Sequence, residues 1–181
     1  MKVVISIGAA SGVIYGIKVL EKLKSEKYLI ITEMAKRIIK EETEYDINKI
    51  KQLANFYYED NDFNSPLASG GFKYDVFAIL PASMDLIAKF SSGISDTLTT
   101  RTFQVALKER RKIVLLFRET PLSSIHLENL KKLSDLGVII MPASPGFYFK
   151  PKSLDDIIDF MVYKIMDEIG ENTEHSIWGK N

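Results

Sequence analysis

The sequence predicts an α/β protein built around a doubly wound parallel sheet. Short apolar runs recur along the whole chain, segments of helical periodicity alternate with them, and no repeat, linker or low-complexity segment divides the chain. A strand that is buried on both faces appears as a continuous apolar run, and alternation with helices is typical of a sheet covered on both sides. We therefore expect one domain spanning residues 1–181, a length that suits a single core.

Five apolar runs are the predicted strands, at residues 3–7, 28–32, 76–80, 113–117 and 138–141. Pro81 and Pro142 follow the third and fifth runs. Because proline donates no hydrogen bond to a neighbouring strand, we expect both strands to stop there. Residues 60–66 have turn composition and no periodicity, which predicts a loop.

Helices are predicted between these strands. The first follows residue 12 and carries Val13, Ile17 and Leu20 at helical spacing. The second predicted helix runs from the second strand to about residue 43. A third begins near residue 83, and two more span about residues 97–109 and 124–136. The last closes the chain and has an apolar face around residues 157–169.

Composition argues against several classes of protein. Lys plus Arg and Asp plus Glu number 24 each, so no overall field favours nucleic acid or an anionic membrane. The absence of cysteine excludes disulfides and thiolate sites, and His126 and His175 are too far apart in sequence to suggest a metal pair. No apolar run is long enough for a membrane span or a signal peptide. We therefore expect a cytoplasmic protein without a metal, in which any phosphate site is local.

The strand at residues 113–117 ends in two opposite charges, Arg118 and Glu119. In open α/β sheets, ligands bind beyond the carboxyl ends of the strands. This pair is therefore a candidate for the functional site. A rim ion pair that contributes little to stability is the alternative explanation.

Two turns of small residues follow two other predicted strands. The sequences GAASG at residues 8–12 and PASMD at residues 81–85 each open a helix. Small side chains let a ligand approach the backbone, and free amides at a helix start favour a phosphate. Ser11 either caps its helix or donates to a ligand, and we favour the cap for Thr32. Together the two turns predict a nucleotide-like ligand across the carboxyl edge of the sheet.

Other charged residues have an ordinary structural explanation. We expect Asp96 to cap the helix that carries Arg101 and most of the charged cluster at residues 108–112 to be a solvated helix end. Lys164 is expected on a solvated helix face. His126 fits a cap or a core position better than a catalytic base.

Longer segments of the chain resemble a known family. They are ASGVIYG at 10–16, PASM at 81–84, GISD at 93–96, LKERR at 107–111, RETPL at 118–122, IHL at 125–127 and PASPGFY at 142–148. In this order, and over nearly the whole chain, they resemble the UbiX family of flavin prenyltransferases. The resemblance implies flavodoxin-like, Rossmann-like subunits, each a three-layer sandwich. It also implies a homododecamer with FMN at the subunit interfaces.

The resemblance further implies a reaction. Such enzymes transfer a dimethylallyl group from dimethylallyl phosphate to N5 and C6 of reduced FMN without a metal. The product, prenylated FMN, is the cofactor of a partner decarboxylase of the UbiD type.

By motif, the resemblance implies two groups of site residues. The cofactor-binding residues would be Ala9, Ala10, Ser11, Thr32, Ser83, Met84, Asp85, Leu86 and Arg118. The residues around dimethylallyl phosphate would be Arg101, Lys108, Tyr148 and Lys164, with Glu119, Lys108 and Ser11 as the catalytic residues. Cations and a hydroxyl would stabilise the departing phosphate, and Glu119 would relay protons.

Some positions depart from the family pattern. Ala9 replaces a glycine, Asp85 a lysine and Leu86 a threonine. Asp85 and Leu86 keep open a different class of function, a non-catalytic flavin carrier or a divergent flavin-binding paralogue. A related flavin-dependent cysteine decarboxylase is less favoured, because its histidine would lie on the first helices and this chain has none before His126.

Overall fold

The computed structural model describes residues 1–171 and contains a six-stranded parallel sheet in the order β3-β2-β1-β4-β5-β6. The strands are β1 (Lys2–Ile7), β2 (Glu26–Ile31), β3 (Phe56–Glu59), β4 (Val76–Ala82), β5 (Lys112–Phe117) and β6 (Ile139–Pro142). His175 lies outside the described residues.

Seven α-helices cover the two faces of this sheet. They are α1 (Val13–Lys22), α2 (Glu33–Glu42), α3 (Ile47–Gln52), α4 (Met84–Ser92), α5 (Leu98–Lys108), α6 (Ser124–Asp135) and α7 (Leu154–Ile169). Residues of α1, α2, α3 and α7 share one apolar core, and those of α4, α5 and α6 share the other. Successive strand residues point to opposite faces, so Val3 and Ile5 enter the first core and Val4 the second. The predicted doubly wound fold is confirmed.

β3 and α3 were not predicted from the sequence. β3 has only four residues, lies at the sheet edge, and each of its side chains is half-buried or exposed. An edge strand needs no continuous apolar run, so the pattern that marks the central strands is absent. α3 has six residues and a single buried side chain, Ile50, which is too short for a helical period to be seen.

Pro81 was wrongly expected to end its strand, whereas β6 does end at Pro142. β4 continues through Pro81 to Ala82, and β6 includes Pro142. The pairing of β4 with β5 is irregular between Ile79 and Ala82, so Pro81 lies where the regular ladder is interrupted. Pro142 is the last residue of an edge strand. Proline is tolerated in strands at these two kinds of position.

Candidate functional site

Three predicted features meet at the carboxyl edge of the sheet. β1, β4 and β5 are neighbours in the sheet. The first turn (residues 8–12) follows β1, the second turn (residues 81–86) runs from the end of β4 into the start of α4, and the pair Arg118–Glu119 follows β5. Carboxyl ends of parallel strands share one edge, so these segments lie side by side. The Gly8 N–H donates a 3.0 Å hydrogen bond to the Pro81 carbonyl oxygen, which joins the first turn to the second.

Gly8 lets the two turns pack directly on each other. A Cβ atom at this position would lie 2.5 Å from the Pro81 carbonyl oxygen and 2.8 Å from Cδ1 of Leu86. The side chain of Leu86 is buried in the second core. Leu86 is therefore part of the packing between the turns, and Gly8 provides the space that this packing needs.

The first turn ends at Gly12, which is the residue that precedes α1 and has a φ of 97°. No side chain caps this helix, so the exposed Ser11 hydroxyl does not act as the cap. The Gly12 N–H instead donates to Oε2 of Glu42 at 2.9 Å. Glu42 is the last residue of α2 and brings a carboxylate to the first turn. Glu42 was not predicted as a site residue, because one glutamate at a charged helix end carries no local signal.

Thr32 and Ser83 both serve as helix caps. Oγ1 of Thr32 accepts from the Ala35 N–H at 3.3 Å, as predicted, and Oγ of Ser83 accepts from the Leu86 N–H at 3.2 Å. A hydroxyl has one hydrogen to donate in addition to its two acceptor positions. Each residue therefore keeps a donor for a ligand while its oxygen caps the helix.

Asp85 is exposed to solvent and lies beside a cation. Its side chain is 74% exposed, and Oδ2 lies 3.5 Å from Nζ of Lys89 one helical turn further on. Lys89 also forms a 3.0 Å ion pair with Asp96. This hydrogen bond raises the pKa of Lys89 and lowers that of Asp96. A nearby cation therefore balances the negative charge of Asp85.

Two predictions about helix caps had different outcomes. Asp96 does not cap α5, because Thr97 precedes the helix and accepts from the Thr100 N–H at 3.3 Å. His126 does act in a cap: its Nδ1 accepts from the Ser123 N–H at 3.3 Å, and its own N–H donates to Oγ of Ser123. This hydrogen bond gives His126 a structural role, as expected.

A cluster of charges lies beside Thr32. Glu59 ends β3 and pairs in register with Ile31, the residue before Thr32. Its carboxylate contacts Nζ of Lys36 at 2.5 Å and Nζ of Lys51 at 3.2 Å. Burial alone raises the pKa of Glu59, but hydrogen bonds led by the one from Lys36 outweigh it and lower the pKa to about 2. The cluster holds the start of α2 against the end of β3.

Arg118 and Glu119 form only a loose pair. Nη1 of Arg118 lies 4.0 Å from Oε1 of Glu119, and the two side chains are 43% and 33% exposed. Oε1 of Glu119 also accepts from the Thr120 N–H at 3.0 Å. An exposed pair at this distance contributes little to stability, so both charged groups are accessible to a ligand.

Arg101 and Lys108 lie on α5, which runs from the carboxyl edge of the sheet to the opposite edge. The Leu98 N–H donates to the carbonyl oxygen of Asp60, just beyond β3, whereas Lys108 lies four residues before the start of β5. Nε of Arg101 donates to the Ala68 carbonyl oxygen at 3.0 Å, and Lys108 pairs with Glu109. Within one chain, Lys108 is therefore separated from Glu119 by the length of β5.

Tyr148 and Lys164 lie on the other side of the sheet. The Tyr148 ring is exposed and its centre lies 5.7 Å from that of Phe160 on α7. Lys164 is exposed and follows Phe160 by four residues, so it is on the same side of the helix. α7 packs in the first core and α5 in the second, so Lys164 and the loop that carries Tyr148 belong to one face of the sheet and the helix that carries Arg101 and Lys108 belongs to the other.

Neither a metal centre nor a membrane span is found in the part of the chain that the structure describes. Within residues 1–171, no three His, Asp or Glu side chains are grouped so that they could hold a metal ion. No helix in this range is long and apolar enough to cross a membrane.

Comparison with known proteins identifies the family. The Flavoprotein family model matches residues 1–166. Flavin prenyltransferase UbiX from Methanocaldococcus jannaschii is 49% identical over 182 residues, which are 99% of each chain. The dodecameric FMN-dependent UbiX-like decarboxylase from Escherichia coli O157:H7 has a TM-score of 0.95 at 35% identity, covering 99% of this chain and 100% of that one. AnUbiX, solved with FMN and dimethylallyl pyrophosphate, has a TM-score of 0.92 at 38% identity, with 98% of both chains covered. The chain belongs to the UbiX family of flavin prenyltransferases.

Proposed function

We propose that this protein transfers a dimethylallyl group from dimethylallyl phosphate to N5 and C6 of reduced FMN. The observation that carries the proposal is the meeting of the first turn, the second turn, Arg118 and Glu119 at one sheet edge. Family membership supports it, since the Methanocaldococcus jannaschii relative is named for this activity and AnUbiX was solved with FMN and a dimethylallyl diphosphate.

The residues at this edge fit a flavin nucleotide. Thr32 and Ser83 have hydroxyl hydrogens to donate, Arg118 offers a cation, and Asp85 is balanced by Lys89. The cofactor would be held by Ala9, Ala10, Ser11, Thr32, Ser83, Met84, Asp85, Leu86 and Arg118. When bound, reduced FMN supplies the nucleophile that accepts the dimethylallyl group.

The protein's own residues would then act on the phosphate and on protons. Arg101, Lys108, Tyr148 and Lys164 would hold the phosphate and stabilise its charge as it leaves. Glu119 would move a proton, with Ser11 and Lys108 as its catalytic partners. No metal is needed for these roles, because the cations already offset the phosphate charge.

The distribution of the phosphate-binding residues supports a site completed by several copies of the chain. α5 and α7 lie on opposite faces of the sheet, and Lys108 lies at the far end of α5 from the carboxyl edge, which favours a site that takes the two sets from different copies. We propose a homododecamer, the assembly of the E. coli relative, with FMN at the interfaces.

The product would be prenylated FMN for a partner decarboxylase of the UbiD type, made in the cytoplasm by one FMN-binding domain spanning residues 1–181. Family membership supports this partner, because the resemblance to the UbiX family implies that the product is the cofactor of such a decarboxylase.

The decisive test is a mass spectrum of the flavin released after anaerobic incubation with reduced FMN and dimethylallyl phosphate. A flavin heavier by one five-carbon unit is expected. Unmodified FMN that co-purifies and never gains this mass would contradict the proposal and favour a flavin carrier or paralogue. A flavin-dependent cysteine decarboxylase would instead release carbon dioxide from a carboxyl-terminal cysteine peptide in a separate incubation with oxidised FMN, which accepts the two electrons.

A further inference from the structure

Arg111 differs from the other residues of the charged cluster at 108–112. Its guanidinium carbon lies 4.0 Å from the ring centre of the buried Tyr74. Its Nη2 donates to the carbonyl oxygens of Gly70 at 3.0 Å and Phe72 at 2.8 Å. Although most of this cluster was expected to be solvated, Arg111 is part of the packed structure.

The backbone that Arg111 binds is also packed against Lys108. A Cβ atom at Gly70 would lie 2.8 Å from Nζ of Lys108 and closer still to the carboxylate of Glu109. Lys108 and Glu109 form an ion pair with each other. Gly70 therefore lies between the Arg111 guanidinium and the Lys108–Glu109 pair, so a shift of this backbone would displace Lys108.

We propose that Arg111 is a positioning residue: by holding residues 70–72 against the end of α5, it fixes the Lys108 ammonium group where it binds the prenyl phosphate. The inference rests on the proposed function, in which Lys108 is one of the phosphate-binding cations. Arg111 acts through Gly70 and Lys108 and does not itself contact the substrate.

The geometry requires an arginine. A planar guanidinium stacks on an aromatic ring while it donates hydrogen bonds in its own plane, whereas an ammonium group is a compact point charge without this geometry. Nη1 is buried without a hydrogen-bond partner within residues 1–171, so Nη2 and the Tyr74 ring orient the group. A lysine at this position would lack the planar group that stacks on the Tyr74 ring, so its ammonium group would not be held in one orientation towards the two carbonyl oxygens and residues 70–72 would be less firmly fixed.

The test compares Arg111→Lys with Arg110→Lys, a matched change at the exposed neighbouring residue. For both full-length variants, kcat, the KM for dimethylallyl phosphate, the FMN dissociation constant and the thermal midpoint are measured anaerobically. We expect Arg111→Lys to raise the KM for dimethylallyl phosphate about tenfold, because the guanidinium geometry is lost. Its kcat and FMN dissociation constant should stay within about twofold of the wild-type values. Arg110→Lys should match the wild type.

Other outcomes would overturn the inference. A lower thermal midpoint with an unchanged KM would mean that Arg111 only stabilises the fold. If the wild type makes no prenylated FMN, the proposed function fails, and calorimetry with dimethylallyl phosphate decides the role of Arg111. If Arg111→Lys binds dimethylallyl phosphate about tenfold more weakly than the wild type, the positioning role is still supported. If the two proteins bind it equally, or if the wild type does not bind it, the positioning role is overturned.

Discussion

The two groups of site residues differ in how completely one chain assembles them. The first and second turns are joined by the hydrogen bond from Gly8 to Pro81 and by the packing of Leu86, all at one edge of the sheet. The residues expected around the prenyl phosphate are instead divided between α5 on one face and α7 on the other. From this difference we infer that one subunit supplies most of the proposed flavin contacts at an interface, whereas the proposed phosphate contacts come from more than one subunit.

The largest effect is expected from Glu119→Gln, which keeps the shape of the side chain but removes its ability to accept a proton. Loss of a positioned proton-transfer group lowers rates by about 10²–10⁴-fold. We expect kcat to fall by that amount while the FMN dissociation constant changes less than about threefold, since the glutamate pairs only loosely with Arg118. Single-turnover kinetics and fluorescence titration measure the two quantities.

Glu128→Gln is the control for this change, because Glu128 is an exposed glutamate on α6. Its kcat should equal that of the wild type. A Glu119→Gln variant with a kcat within about tenfold of the wild type would show that Glu119 is not the proton-transfer group.

Gly8→Ala should break the contact between the two turns. The added methyl would lie 2.5 Å from the Pro81 carbonyl oxygen, which belongs to the backbone and cannot rotate away. Overpacking of this kind costs about 1–3 kcal/mol. We expect a lower thermal midpoint and FMN binding about tenfold weaker, the equivalent of about 1.4 kcal/mol.

Gly71→Ala is the matched control for Gly8→Ala, since a Cβ there would have only Oγ of Ser69 nearby, at 3.5 Å. Its thermal midpoint and FMN affinity should stay close to the wild type. Equal behaviour of the two variants would mean that the turns are not rigidly joined.

A smaller and pH-dependent effect is expected from Glu59→Gln. The folded-state pKa of Glu59 is lowered from 4.5 to about 2, so its contribution to stability is complete above pH 4.5 and is lost as the pH falls towards 2. Because the carboxylate is 41% exposed, screening limits this contribution to about 1 kcal/mol or less. The free energy of unfolding, measured in urea, should therefore differ between the variant and the wild type more at pH 7 than at pH 3.

Asp135→Asn is the control, because it removes a carboxylate from an exposed ion pair with Lys131 on α6. The difference between this variant and the wild type should be small at both pH values. If the difference in the free energy of unfolding between Glu59→Gln and the wild type grows as the pH falls, this result would contradict the direction of the pKa shift.

The smallest effect is expected from Asp85→Asn. The carboxylate is exposed and lies near Lys89, so its removal should change the FMN dissociation constant by less than about threefold. Lys89→Gln, which removes the compensating cation, should weaken FMN binding more. Tightening by tenfold or more in Asp85→Asn would mean that this carboxylate faces the flavin phosphate.

Most of the fold was predictable because buried parallel strands carry a strong local signal. Five of the strands contain apolar runs, including β6 at one edge, whereas β3 at the other edge has half-buried tyrosines and no such run. The extension of β4 through Pro81 depends on an irregular pairing with β5. Pairing between distant segments cannot be read from a local pattern.

The candidate site was predictable where chain order alone places residues at a strand end, as for Ser83, Arg118 and Glu119. Contacts made across the fold were not. Glu42 reaches Gly12 from the far end of α2, and Arg111 reaches Gly70 from beyond α5. The division of Lys108 and Lys164 between the two sheet faces also follows only from the complete topology.

In the proposed assembly, one site takes Lys108 and Lys164 from different copies of the chain. The most direct test co-expresses Lys108→Ala and Lys164→Ala subunits with different tags and isolates the mixed assemblies, after confirming that each variant alone is inactive. Random assembly then places both native lysines in about a quarter of the sites, so about a quarter of the wild-type activity should return. Mixed assemblies as inactive as either variant alone would contradict the claim, because each site would then need both lysines from the same chain.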